Sequence, residues 1–141
     1  MALLVWSNAY SVGVEEMDRQ HRVLFNMLND LHAAMLQGKA QELTGTLLKK
    51  LVDYTRQHFT AEDTMLAAAG YSGLAPHRMK HKDLMKQVDG YVERYRSGEI
   101  AVNVQLMSFL RDWLTKHIQQ TDKDYGVCVK TYLGSRKLGA A

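Results

Sequence analysis

The sequence contains one cysteine and one proline, and both scarcities are informative. With Cys128 alone the chain cannot form an intrachain disulfide, which fits a reducing compartment, and we expect a cytoplasmic protein. With Pro76 as the single proline, long helices can run without interruption. Hydrophobic residues make up 46% and charged residues 23% of the chain, a balance typical of a folded soluble domain and not of a disordered one.

Long apolar runs and one-sided charge are also missing. No run approaches the roughly 18 apolar residues of a membrane span, and the opening segment "MALLVWSNAY" lacks the basic region of a signal peptide. The net charge is only +3 and no basic stripe is interleaved with aromatic residues, so neither membrane nor nucleic-acid binding is expected. A length of 141 residues suits one domain. We predict a monomeric domain over residues 1–133, followed by a flexible tail over 134–141.

The remaining sequence is organised as four helical patterns. Breaks at Gly38, at residues 70–76 and at residues 97–99 separate segments of about 20 to 28 residues, each with apolar residues in steps of three and four. This periodicity predicts an all-α fold, an up-down-up-down antiparallel four-helix bundle. We expect the first helix to begin near Asp18, acting as its N-cap, and the third to begin beside Pro76.

Histidines lie on the predicted inward face of every helix, and the second helix adds a glutamate. An unpaired imidazole or carboxylate in a core costs about 1 to 3 kcal/mol, so several of them need a shared partner. His58 and Glu62 are four residues apart, as are His77 and His81, which places each pair one helical turn apart on one face. That is a spacing for metal ligands, although either pair alone is more often a coincidence.

The position of these residues along the helices strengthens the metal interpretation. In an antiparallel bundle, the beginnings of helices one and three meet the ends of helices two and four. His32 faces almost the same way as His21 but lies about 16 Å further along the helix, so we expect it to take no part. The predicted site lies at one end of the core and comprises His21, His58, Glu62, His77, His81, His117 and Asp122.

The number of candidate ligands suggests two ions. Five imidazoles, two bridging carboxylates and a solvent-derived oxo or hydroxo bridge fill all but one position on two octahedral ions, and a ligand-binding site keeps such an open position. Imidazole with carboxylate suits iron, manganese or zinc, but zinc usually takes only four ligands.

The segment "HIQQTD" has an unusual spacing. Asp122 follows His117 by five residues, which in a regular α-helix turns it about 140° away from the histidine. A bridging carboxylate needs a different angle of approach from a terminal ligand. We therefore predict a wide turn, of the π-bulge kind, across residues 117–122.

Four segments of the chain together resemble the hemerythrin family in its single-domain bacterial form: "VWSNAYSVGVEEMDRQH", "HFTAED", "GYSGLAPHRMKH" and "DWLTKHIQQTD". The resemblance covers about residues 4 to 126. It implies two iron ions with a bridging oxo or hydroxo group that bind O2 reversibly as a hydroperoxide on one iron. By this resemblance the coordinatively full iron is held by His77, His81 and His117. The iron with the open position is held by His21 and His58, and the two irons are bridged by Glu62 and Asp122.

The resemblance also implies an apolar pocket for O2, formed by Leu24, Phe59, Trp113, Leu114 and Ile118. By themselves these residues are better explained as core, and only the neighbouring ligands favour a pocket. The chain departs from the bacterial pattern at Asp63, where a second glutamate is common, but this is not a ligand position.

The function we expect is that of an oxygen carrier, storage or delivery protein and not an enzyme. Its ligand is O2, and an O2-consuming enzyme or a redox protein is an expected partner. The alternatives are a di-iron enzyme, with peroxidase, NO-handling or ferroxidase activity, and an O2 or iron sensor that acts through a partner.

Overall fold

Four antiparallel helices form the body of the protein. The computed structural model describes residues 3–39, 41–98 and 104–139, and within these ranges there is no β-strand. The helices are α1 (Glu15–Leu36), α2 (Gln41–Ala68), α3 (Leu74–Arg96) and α4 (Val104–Lys116). Glycines with positive φ follow the first three: Gly38 (65°), Gly70 (69°) and Gly98 (78°). The predicted bundle and its three breaks are confirmed, and Pro76 lies in the first turn of α3.

The fourth helical segment changes its winding before it ends. A π-helical turn spans His117–Thr121, a 3-10 turn spans Asp122–Tyr125, and α5 (Gly126–Gly139) continues beyond them. The backbone N–H of Asp122 donates to the carbonyl of His117, five residues earlier, as well as to that of Ile118. The predicted wide turn is therefore present.

Helix α5 was not foreseen as a separate element. Residues 134–139 of the predicted tail belong to it, whereas residues 140–141 lie outside the described residues. Whether this segment is mobile stays a prediction.

The expected N-cap of the first helix is wrong. Helix α1 begins at Glu15, with Val14 as its N-cap. The carboxylate of Asp18 instead accepts hydrogen bonds from the hydroxyl of Ser11 at 2.6 Å and from the backbone N–H of Val12 at 2.8 Å. Asp18 thus binds the chain that precedes the helix, and no side chain at the N-cap position hydrogen-bonds the first turn.

The core changes character along the bundle axis. Apolar side chains from all four helices fill its middle, among them Leu28, Leu48, Val88 and Leu110. At one end the buried side chains become imidazoles and carboxylates. In the part of the chain that the structure describes, no helix combines the length and the apolar character needed to cross a membrane.

Candidate metal centre

All seven predicted ligand residues come together at one end of the bundle. His21 lies near the start of α1, and His58 and Glu62 lie near the end of α2. Helix α3 contributes two histidines from its first turns, and the π-helical turn separates the last histidine from the aspartate. None of the seven residues is more than 7% exposed, so water does not solvate this polar cluster.

The carboxylate of Glu62 lies between two sets of imidazoles. Its Oε1 atom is 3.1 Å from Nε2 of both His77 and His81. Its Oε2 atom is 3.3 Å from Nε2 of His58 and 3.5 Å from Nε2 of His21. One oxygen therefore faces the histidines of α3, and the other faces those of α1 and α2.

Asp122 makes the same division from the opposite side. Its Oδ1 atom lies 2.8 Å from Nε2 of His77 and 3.0 Å from Nε2 of His117, whereas Oδ2 lies 3.1 Å from Nε2 of His21. The wide turn brings this carboxylate back towards His117 despite the five-residue spacing. All five histidines thus direct Nε2 inward.

These contacts form two overlapping groups of possible metal ligands, and within each group the ligand atoms lie within 4.8 Å of one another. Both groups contain the two carboxylates. The larger group is Glu62, His77, His81, His117 and Asp122, and the smaller is His21, His58, Glu62 and Asp122. Two groups that share both carboxylates suit a pair of neighbouring ions.

Several buried polar atoms of the cluster lack a well-formed hydrogen bond. They include both ring nitrogens of His21, Oε1 of Glu62 and Oδ2 of Asp122. Buried polar atoms are nearly always hydrogen-bonded, and such exceptions call for an explanation. Converging imidazole nitrogens and carboxylate oxygens are suitable ligands for a transition-metal cation. The residues present therefore fit a metal centre.

The imidazoles and the buried carboxylates shift one another's pKa values. Burial by itself lowers the pKa of His21 and His77, but the neighbouring carboxylates outweigh burial and raise these pKa values to about 9 and about 11. For His58 burial prevails and the pKa is lowered. Burial would raise the pKa of Glu62, yet close contacts with four imidazoles hold it well below its usual value. The two ionised carboxylates therefore favour a positive charge beside them, on a protonated imidazole or on a metal cation.

Three further side chains contact the cluster from outside, and sequence analysis gave none of them a role. Oε1 of Gln20 lies 2.7 Å from Nδ1 of His58, and the hydroxyl of Tyr125 donates to Oε2 of Glu62 at 2.8 Å. The carboxylate of Asp63 faces two histidines of α3. No spacing rule identifies these partners, because each contact depends on how two helices pack.

The residues predicted to form the O2 pocket are all buried in the core: Leu24, Phe59, Trp113, Leu114 and Ile118. The ring of Phe59 stacks on His81, with centroids 3.7 Å apart and planes 10° apart. It also lies 5.7 Å from the ring of His117 and 5.9 Å from that of Trp113. His32 is partly buried and belongs to neither ligand group.

The sequence of this domain matches the family model described as the hemerythrin HHE cation binding domain, over residues 12–127. The chain belongs to the hemerythrin family. It is 36% identical to the bacteriohemerythrin of Methylococcus capsulatus over 92% of this chain and 98% of the relative. Myohemerythrin-1 of Phascolopsis gouldii is 31% identical over 86% of this chain and 90% of its own length.

Structural comparison agrees with this assignment to the hemerythrins. A crystal structure of a wild-type hemerythrin superposes with a TM-score of 0.86 at 35% sequence identity, covering 91% of this chain and 98% of the other.

Proposed function

We propose that this hemerythrin binds O2 reversibly at a pair of iron ions and acts in oxygen carriage, storage or delivery. The observation that carries the proposal is the pair of buried ligand groups that share two carboxylates. Relatives named bacteriohemerythrin and myohemerythrin support it. Two iron ions held here would supply the electrons and the open coordination position that O2 uptake requires.

The proposed ligand roles follow the contacts of the carboxylates. His77, His81 and His117 hold one ion, and His21 and His58 hold the other. Glu62 and Asp122 would bridge the pair, together with an oxo or hydroxo group, because each directs one oxygen towards each set of imidazoles. The set with two histidines has one ligand fewer, so the open position belongs on that side.

The surrounding apolar residues have a protective role in this proposal. Leu24, Phe59, Trp113, Leu114 and Ile118 are buried, and they would exclude water from the vicinity of bound iron. A dry wall slows the arrival of protons, and protons promote the irreversible oxidation of an oxygenated centre. The pocket therefore favours release of O2 unchanged. The proposal includes a monomer in the cytoplasm that exchanges O2 or electrons with an O2-consuming enzyme or a redox protein.

Metal analysis combined with an optical spectrum tests the proposal. We expect two irons per chain and a coloured oxygenated form that bleaches under argon and returns in air. One iron per chain, or none, would contradict the di-iron centre. Irreversible oxidation with turnover of peroxide or NO would instead support an enzyme built on this fold. Capture of a specific partner in only one oxygenation state would support a sensor.

A further inference from the structure

The two halves of the candidate site differ in charge on their outer sides. Every histidine directs Nε2 towards the carboxylates, so Nδ1 faces away from the proposed ions. Nδ1 of His58 meets the neutral amide oxygen of Gln20 at 2.7 Å. On the other half, Nδ1 of His77 and of His81 both face one carboxylate oxygen, Oδ1 of Asp63, at 3.3 and 3.0 Å.

The two contacts of Asp63 are not equivalent. The one with His77 has hydrogen-bond geometry. The one with His81 is shorter, but Nδ1 makes no well-formed hydrogen bond there. The side chain of Asp63 is 20% exposed. Its carboxylate therefore lies at the edge of the buried cluster, in contact with both imidazoles.

We propose that Asp63 is a positioning residue that makes the two irons unequal, by lowering the reduction potential of the iron held by His77 and His81. This inference rests on the proposed function. A carboxylate that accepts the outer N–H of a metal-bound imidazole makes that imidazole a stronger donor. A stronger donor and a nearby negative charge stabilise ferric iron more than ferrous iron, so they lower the reduction potential.

The neutral amide of Gln20 gives no comparable assistance to the other iron. The first electron removed from the diferrous protein therefore comes from the iron on the Asp63 side. With ferricyanide as the oxidant, one electron passes from that ferrous ion to ferricyanide, which becomes ferrocyanide, and no bond or proton has to move. The coordinatively full iron is then ferric, and the iron with the open position stays ferrous.

The variant Asp63→Asn separates charge from orientation, because asparagine has the same size and still offers an oxygen to Nδ1. Its matched control is Asp53→Asn, which removes the same charge from an exposed position on α2, about 15 Å away along the helix. We expect the iron-loaded Asp63→Asn protein to have a higher first oxidation potential in spectroelectrochemistry. A tenfold change in this one-electron equilibrium corresponds to about 59 mV. The first oxidation potential of Asp53→Asn should equal that of the wild type. Asp63→Glu, which keeps the negative charge, should also have the wild-type potential.

Gln20→Glu provides a second, opposite test. It places a carboxylate beside His58 and should lower the potential of the other iron, so that the two one-electron steps move closer together. Equal potentials in wild-type and Asp63→Asn proteins would overturn the proposal, as would a shift of the same size in Asp53→Asn. If Asp63→Asn does not load iron, an unchanged potential in Gln20→Glu would overturn the proposal. A wild-type protein without two irons would instead refute the proposed function.

Discussion

The buried hydrogen bond between Tyr125 and Glu62 allows a quantitative test of how the metal-free site is stabilised. The hydroxyl donates to Oε2 of Glu62 at 2.8 Å, and both side chains are completely buried. Tyr125→Phe removes this donor and keeps the ring. A hydrogen bond to a charged group contributes about 1.5 to 3 kcal/mol, so the free energy of unfolding should fall by that amount. For a domain of this size the melting temperature should fall by about 3 to 12 °C.

Urea unfolding of the metal-free protein, followed by far-ultraviolet circular dichroism, measures this loss. Tyr54→Phe is the matched control, because Tyr54 is half-buried and its hydroxyl has no hydrogen-bond partner among the described residues. Its expected cost is below about 0.5 kcal/mol. If Tyr125→Phe loses no more stability than Tyr54→Phe, the reasoning is refuted, and the bond only compensates for the cost of burying both groups.

Three other predictions concern the ligands, the loop before α1 and the protons in the site. His58→Ala or Asp122→Ala should abolish the spectrum of the oxygenated protein, whereas His32→Ala should leave it intact; loss of colour in the last variant would mean that the site is misplaced. Gly126→Ala should lower the free energy of unfolding by about 1 to 3 kcal/mol, because the added Cβ would lie 2.2 Å from the carbonyl oxygen of Val12. An unchanged free energy of unfolding in urea would show that the segment around Val12 moves aside at no cost. Iron uptake should release protons, and its affinity should fall as the pH falls from 9 to 6, because the raised pKa values keep His21 and His77 protonated at neutral pH. Calorimetry in buffers of different ionisation enthalpy measures this proton release. Iron uptake without proton release would contradict the charge balance of the site.

The main features of the fold and of the cluster were predictable because they depend on periodicity. A four-residue step places two side chains on one helical face, and antiparallel order then brings the histidines of four helices to one end. Even the five-residue step from His117 to Asp122 was informative, since only a wider turn allows both to reach one site.

Features that depend on packing were not predictable. Asp18 looked like a helix cap, but its partners are Ser11 and Val12, which precede the helix. Helix α5 follows its 3-10 turn directly, and no proline or long polar loop separates it from the preceding segment. The roles of Gln20, Asp63 and Tyr125 depend on contacts between helices, which no pattern within one helix encodes.

The location of the ligands at one end of the bundle has a consequence for its local stability. Iron bound there would connect chain segments as far apart as residues 21 and 122, acting as a cross-link that removes loop entropy from the unfolded chain. The opposite end, near Gly38 and Gly98, relies on side-chain packing and on contacts such as the 3.1 Å hydrogen bond between Thr44 and Tyr95. Metal loading should therefore produce a gradient along the axis, with amide hydrogen exchange slowed most around the π-helical turn and least at the far turns.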